Sequence, residues 1–488
     1  MGSNSSKTPI SDDDSSFVES MTSELTESAL TRLTIDDTAH SPSENILDIS
    51  SLKAWEDELL SDSKNALMAS ILPNLGPVAA LKKRDNVIKD SIQIFNTALS
   101  VEGAPITNQK SSGRCWLFAT CNVFRVQLMK KFNLEECELS QSYLFFYDKL
   151  EKANYFLQNI IETASEPLDG RLVQRLLSEP VSDGGQWDMI INLVSKYGVI
   201  PHSCYPDPEV SIASGQVNFV VLNKLREDAL VLRDLINSGS TPAKVESVRR
   251  AMVKEIFNVL ELTMGPPPKP TDKFVWDFVD KNKKVQSIES TPLDFFKTYI
   301  AFDLNDHFSM IHDPRHSNGN LYQVDRLSNM VNGRPVQYVT ASIDALKETA
   351  IAMLKADMPV FFGSDCVKFS DRTKGTFDTD LFDYENGLNI KFNMSKADKL
   401  VSGESALNHA MVLTAVHIVD GKPIRWRVQN SWGETSGRKG WFIASDKWFE
   451  DYVYQIVTPT ALAPEEAVKA RSKEATILPL WDPMGSLA

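Results

Sequence analysis

Cys115 stands where a thiol could be activated. It lies in SSGRCWLFATC, Ser111 to Cys121, where a polar Ser-Ser-Gly-Arg stretch meets an apolar run. A cysteine at the start of a helix gains from the helix dipole and from free backbone N–H groups, both of which favour the thiolate. Alone, such a residue is more often a small core hydrophobe. Three further residues change that balance. Gln109 ends PITNQ, upstream of the thiol, and its side-chain amide could donate to a developing oxyanion. His409 sits in NHAM, and Asn430 heads NSWG. Together they offer a thiol, an imidazole to take its proton, an amide to orient the ring and an oxyanion donor. That is the Cys-His-Asn form of nucleophilic acyl transfer. An ion pair with His409 is expected to bring the thiol pKa from about 8.5 down to about 4.

These residues are far apart in sequence, so the elements between them must bring them together. Trp116, Leu117, Phe118, Val123, Phe124, Val126, Leu128 and Met129 predict a largely buried helix from Cys115 to Phe132. Ser111 and Ser112 are its candidate caps. Ser182 to Ile200 reads as a glycine turn followed by a helix that ends at Gly198. Two helices follow from Val217 to Leu262, split by NSGSTP, with Thr241 as N-cap and Pro242 as first helical residue. GPPPKP, Gly265 to Pro270, ends that pattern. A helix from Ala345 to Lys355 leads into an apolar strand, Met358 to Gly363. In ALNHAMVLTAVHIVDGKPIRWRVQNSWG two apolar runs flank Asp420-Gly421, a hairpin signal. Ile424, Trp426, Val428 and Asn430 share one parity, which points Asn430 inward, where a polar amide needs partners.

The totals set limits. A chain of 488 residues with 42% hydrophobic residues can bury a sizeable core. Net charge is −14, which argues against nucleic acid as main partner, since phosphate binding needs clustered Lys and Arg. The small basic cluster Lys281 to Lys284 reads as a solvated surface. No apolar run is long enough to span a bilayer. Five cysteines, irregularly spaced and without a CxxC pair, form no disulfide framework and no zinc motif. Cys121, Cys137, Cys204 and Cys366 read as structural thiols, and a reducing, cytoplasmic location is expected. His307, His312 and His316 invite a metal, but Pro314 interrupts the helix that would align them, so no metal and no cofactor are expected. The first fifty residues, Ser-rich and acidic, read as disordered and carry no signal peptide. MGSNSSK fits N-myristoylation at Gly2 as well as it fits chance. One acyl chain beside Asp12, Asp13 and Asp14 would give only weak membrane contact.

QKSSGRCW, NHA and NSWG, in this order, resemble the papain superfamily of cysteine peptidases. Papain-like chains carry C-G-[SA]-C-[WY] at the nucleophile. Here the motif is Ser112-Gly113-Arg114-Cys115-Trp116, with serine in place of the cysteine that forms a disulfide in secreted relatives. Cys115 and His409 are 294 residues apart, against about 130 to 150 in papain. The excess falls in the helical segment around 210–345. That insertion and the tail WDPMGSLA resemble the bleomycin hydrolase family, from about residue 60 to the end.

The resemblance implies an α+β fold of two papain-like lobes, one helical and one β-barrel-like, with a large helical insertion. The expected division is a disordered extension over 1–50, the helical lobe over 51–210, an insertion for assembly over 211–345, the β lobe over 346–461 and a C-terminal arm over 462–488. It implies that Cys115 attacks a peptide carbonyl, that His409 protonates the leaving amine, that Asn430 holds the ring and that Trp432 shields that contact. Gln109 and the Cys115 N–H would form the oxyanion hole. Gly184 and Gly185 would let a substrate backbone pair along the cleft. The arm would lie in the cleft with Leu487 and Ala488 nearest the nucleophile, its terminal carboxylate meeting the substrate's free amine. Aminopeptidase action on peptides, deamidation of bleomycin and a homohexameric barrel are implied as well. The rival expectations are a papain-type endopeptidase and a non-catalytic, nucleic-acid-binding chamber.

Overall fold

The computed structural model describes residues 25–33 and 47–488. At its centre runs the helix Cys115–Phe132, buried on nearly every side from Cys115 to Met129. A helix apolar all round has no solvent face, so it belongs between layers. On one side it packs against the helices Gln141–Glu162 and Trp187–Tyr197, and on the other against the strand His409–Val419. The serines do not cap it. Arg114 is the N-cap residue and makes no side-chain capping bond. Ser112 instead donates its hydroxyl to the Gln109 carbonyl, 2.7 Å, folding the loop back on itself.

Among the described residues, twelve strands form one large sheet. His409–Val419 lies well inside it, antiparallel to Val360–Ser364 on one side and to Lys422–Gln429 on the other. The turn between the last two is Asp420-Gly421, with φ of 50° and 78°. Two positive φ values give the primed turn whose twist matches a hairpin. Trp426, Val428 and Asn430 are buried, as their parity predicts, while Ile424, near the hairpin tip, is exposed.

The segment 211–345 is less helical than expected. Gly215–Asn237 and Pro242–Met264 are helices, the second capped by the Thr241 hydroxyl on the Lys244 N–H. A hairpin of Phe274–Val279 and Val285–Ser290 follows. The strands His307–Ile311, Leu321–Val324 and Gln337–Thr340 then enter the large sheet. The β lobe therefore draws strands from before residue 346. These runs are too brief for periodicity to separate them from the loops around them.

The extension also departs from expectation where it is described. Residues 25–32 are helical, with Arg32 donating to the Lys391 carbonyl and Ser28 accepting from Asn393. The rest of that expectation, Gly2 and its acylation included, lies outside the described residues. The helices Ile49–Ser61 and Ser63–Leu75 bury no residue.

Candidate active site

The Cys115 thiol opens the central helix and lies among three backbone N–H groups, those of Ala410, Trp116 and Cys115 itself. Ala410 directly follows His409 on its strand, so the first turn of the helix meets the start of the strand. Both side chains are buried. Burial pushes the thiol up to about 11 and the imidazole down to about 4. Burial raises the lone thiol while the three N–H donors lower it, so the low thiol pKa expected from the sequence depends on passing its proton to His409. Each group alone prefers its neutral form; a proton passing from sulfur to ring leaves the pair neutral overall.

His409 Nε2 lies 2.9 Å from Asn430 Oδ1. The Ser431 backbone N–H also donates to that atom, 2.7 Å, which identifies it as the oxygen. Nε2 therefore carries the hydrogen, and Nδ1 is left with the lone pair. The ring stacks on Trp432, centroids 5.0 Å apart, and the Arg372 guanidinium lies over the same indole, 4.6 Å from its centroid. Asn430 Nδ2 is buried without a partner among the described residues.

Gln109 is fixed from both ends. Its amide donates to the Ser112 carbonyl, 2.7 Å, and its Oε1 accepts from the Ser431 hydroxyl, 2.7 Å. One amide hydrogen remains for an incoming oxygen. Its backbone N–H donates to the Ser431 carbonyl, 2.8 Å. Ser431 thus ties the amide that holds the ring to the amide that faces the thiol loop.

Gly184 and Gly185 lie beside the arm, each for its own reason. A Cβ on Gly184 would sit 2.7 Å from the Ala488 oxygen and 3.0 Å from Leu487 Cβ. A Cβ on Gly185 would enter the Trp116 ring at 2.5 Å. The Gly185 N–H donates to the Ala488 oxygen, 2.9 Å, and its carbonyl accepts from the Ala488 N–H, 3.3 Å. The arm is anchored elsewhere by Gln186 donating to the Ser486 carbonyl and by Ser486 donating to the Leu407 carbonyl. Arg315 pairs with Asp482 at 2.9 Å.

The structure brings Gln109, Asn430 and His409 into one hydrogen-bonded chain. It places Cys115 against the residue after His409, stacks Trp432 on the ring and sets Leu487 and Ala488 against Gly184 and Gly185. Three residues at the site escaped the sequence reading. Ser431 was in view inside NSWG. Asn408, whose side chain donates to Asp365 and accepts from the Cys366 N–H, steadies the strand just before His409. Asp183 joins the glycine pair to the nucleophile loop. Polar side chains whose partners come from remote segments leave no periodic trace.

A helix-borne cysteine beside a strand-borne histidine held by an asparagine is the arrangement of a papain-like cysteine peptidase. The chain belongs to the Peptidase C1-like family, whose model matches residues 46–485. It is similar to human bleomycin hydrolase, 45% identical over 407 residues, covering 81% of this chain and 89% of that protein. Cysteine proteinase 1, mitochondrial, of Saccharomyces cerevisiae (strain ATCC 204508 / S288c) is 41% identical over 450 residues, covering 91% of this chain and 93% of that protein. The crystal structure of PepW from Lactobacillus rhamnosis superposes with a TM-score of 0.87 at 40% identity, covering 91% of this chain and 99% of that one. The protein is an enzyme of the cysteine peptidase class with a papain-superfamily α+β fold.

Proposed function

We propose that the protein is an aminopeptidase that removes N-terminal residues from peptides by Cys-His-Asn acyl transfer. The observation that carries this is the antiparallel pairing of Ala488 with Gly185, with Gly184 leaving room for the arm. The arm takes the backbone contacts a longer substrate would need. Where Ala488 bears the chain's terminal carboxylate, that anion meets a free amine and measures substrate from its N-terminus.

The Cys115 thiol gives its proton to His409 Nδ1 as sulfur bonds to the scissile carbonyl carbon. The carbonyl π electrons move to oxygen, which the free Gln109 amide hydrogen and the Cys115 N–H stabilise. The C–N bond then breaks, the amine takes the proton from His409, and an acyl-enzyme remains. Water, deprotonated by Nδ1, attacks that thioester and returns the thiol. Asn430 keeps Nε2–H occupied, so Nδ1 stays the acting base. Amide hydrolysis of bleomycin would follow the same steps. No step calls for a metal or cofactor.

Five free thiols among the described cysteines suit a reducing interior. No described helix is long and apolar enough to cross a membrane. A similar yeast protein is named mitochondrial, so the cytoplasm stands here as a proposal. Assembly as a homohexamer is also proposed. It is supported by Leu52, Trp55, Leu59 and Leu67, large apolar residues left exposed on the first two long helices. The deciding experiment compares hydrolysis of free and N-acetylated peptides, with sizing of the purified protein. A monomer active on both would replace this proposal with an endopeptidase. No hydrolysis at all, together with retention of nucleic acid, would favour the non-catalytic chamber.

A further inference from the structure

Asp183 precedes the glycine pair and is bonded to three other segments of the chain. Its Oδ2 accepts from the Gly113 N–H, 3.0 Å, two residues before the nucleophile, and from the Ser214 hydroxyl, 2.6 Å. Its Oδ1 accepts from the Asn218 amide, 2.9 Å, and from Lys149 Nζ. Its carbonyl accepts from Trp116 Nε1, 2.8 Å. The two loops touch: a Cβ on Gly113 would lie 2.7 Å from Asp183 Cβ. Beside it Lys152 donates to the Ser182 and Gly184 carbonyls and pairs with Asp148. Lys149 is almost wholly buried. A buried ion pair is a poor source of stability compared with an apolar pair of the same volume. What it supplies here is direction: no apolar side chain could accept from four donors on the nucleophile loop, two helices and the start of the insertion.

We propose that Asp183 is a positioning residue that holds the Gly184–Gly185 segment, the nucleophile loop and the first turn of Gly215–Asn237 in one register. This rests on the cysteine-peptidase mechanism above and deepens it. The carboxylate acts through Gly113 and the glycine pair and touches no reacting atom. Its negative charge also raises the Cys115 thiol, so its removal should be visible in the thiol's titration. The consequence is that the helical insertion, through Ser214 and Asn218, is mechanically part of the cleft.

The test uses the full chain. Asp183→Asn alone strands a buried Lys149, so it is paired with Asp183→Asn/Lys149→Met and with Ser214→Ala. Two readouts are taken: KM and kcat on a free-amine peptide, and the pH midpoint of Cys115 alkylation by iodoacetamide, followed on the Cys115 peptide by mass spectrometry. In the double variant KM should rise about tenfold while kcat changes less than about threefold, the scale set by slight misplacement of a bound substrate. In Asp183→Asn alone, where Lys149 keeps its charge, the alkylation midpoint should move to lower pH, because an anion near the sulfur is gone. Ser214→Ala should raise KM about threefold and leave the midpoint in place. A folded double variant with wild-type KM overturns the proposal whatever its midpoint. If the wild type hydrolyses no peptide, the proposed function falls, and alkylation alone judges Asp183: an unmoved midpoint then overturns it.

Discussion

Two segments lie outside the lobes, one near each end of the described chain, and they are opposites. The helices Ile49–Ser61 and Ser63–Leu75 have sound local signals. Asp48 caps the first on the Ser51 N–H and Asp62 caps the second on the Lys64 and Asn65 N–H groups. They bury nothing, and Trp55 remains 54% exposed. The arm has little regular structure: one short helix, Glu465–Ala470, the strand Thr476–Leu478 and one turn, Pro483–Gly485. Yet Leu478, Leu480, Met484 and Ala488 are buried, and Arg315, Tyr338 and Gln186 grip it. Capping decides whether a segment is helical; partners from elsewhere decide whether it belongs to the site.

The contrast can be broken or sharpened, largest effect first. Cys115→Ala should lower kcat by at least about 10³-fold on every substrate, as loss of a nucleophile does. Turnover surviving in that variant would detach the arm's groove from the chemistry.

Next is acidity. His409 titrates near 4 in the fold against 6.5 for the free ring. Its folded pKa is depressed, so the unfolded chain binds more protons between those values. Stability should therefore fall as pH drops from 6.5 toward 4, by up to about 3 kcal/mol for this group. Ser486 grips the Leu407 carbonyl, two residues before His409; if the arm shields the ring from there, removing 486–488 should move its NMR titration back toward 6.5. Removing 25–61 should leave it alone. A ring titration unchanged by loss of the arm would show that the arm does not shield His409.

The same pair of truncations separates the segments by substrate. Without Leu487 and Ala488, hydrolysis of acetylated peptides should gain about tenfold on that of free peptides, as the charge contact is lost. The N-terminal truncation should keep the ratio and alter the elution volume. The smallest effect belongs to Asp482→Asn. It weakens one part-buried ion pair, about 1 kcal/mol, read as faster proteolysis of the arm with kcat unchanged.

Local chemistry was legible in the sequence. The start of the central helix at Cys115, the end at Gly198, the cap at Thr241 and the turn at Asp420-Gly421 each follow from side-chain or backbone preferences within a few residues. The parity that turned Asn430 inward was legible too. What escaped is long-range. The strands at 307–340 are recognisable only once the rest of the sheet offers them edges. The caps assigned to Ser111 and Ser112 failed because Ser112 serves the loop instead. The burial of Cys115 and His409 is a tertiary quantity, invisible in CW or NHA.

Ser431 carries a last consequence. With its N–H it holds Asn430, and with its hydroxyl it holds Gln109. The group that aims the base and the group that receives negative charge therefore hang from a single hinge point. Disturbing either will shift the other, so the penalties of substituting Asn430 and Gln109 should combine to less than their separate values suggest.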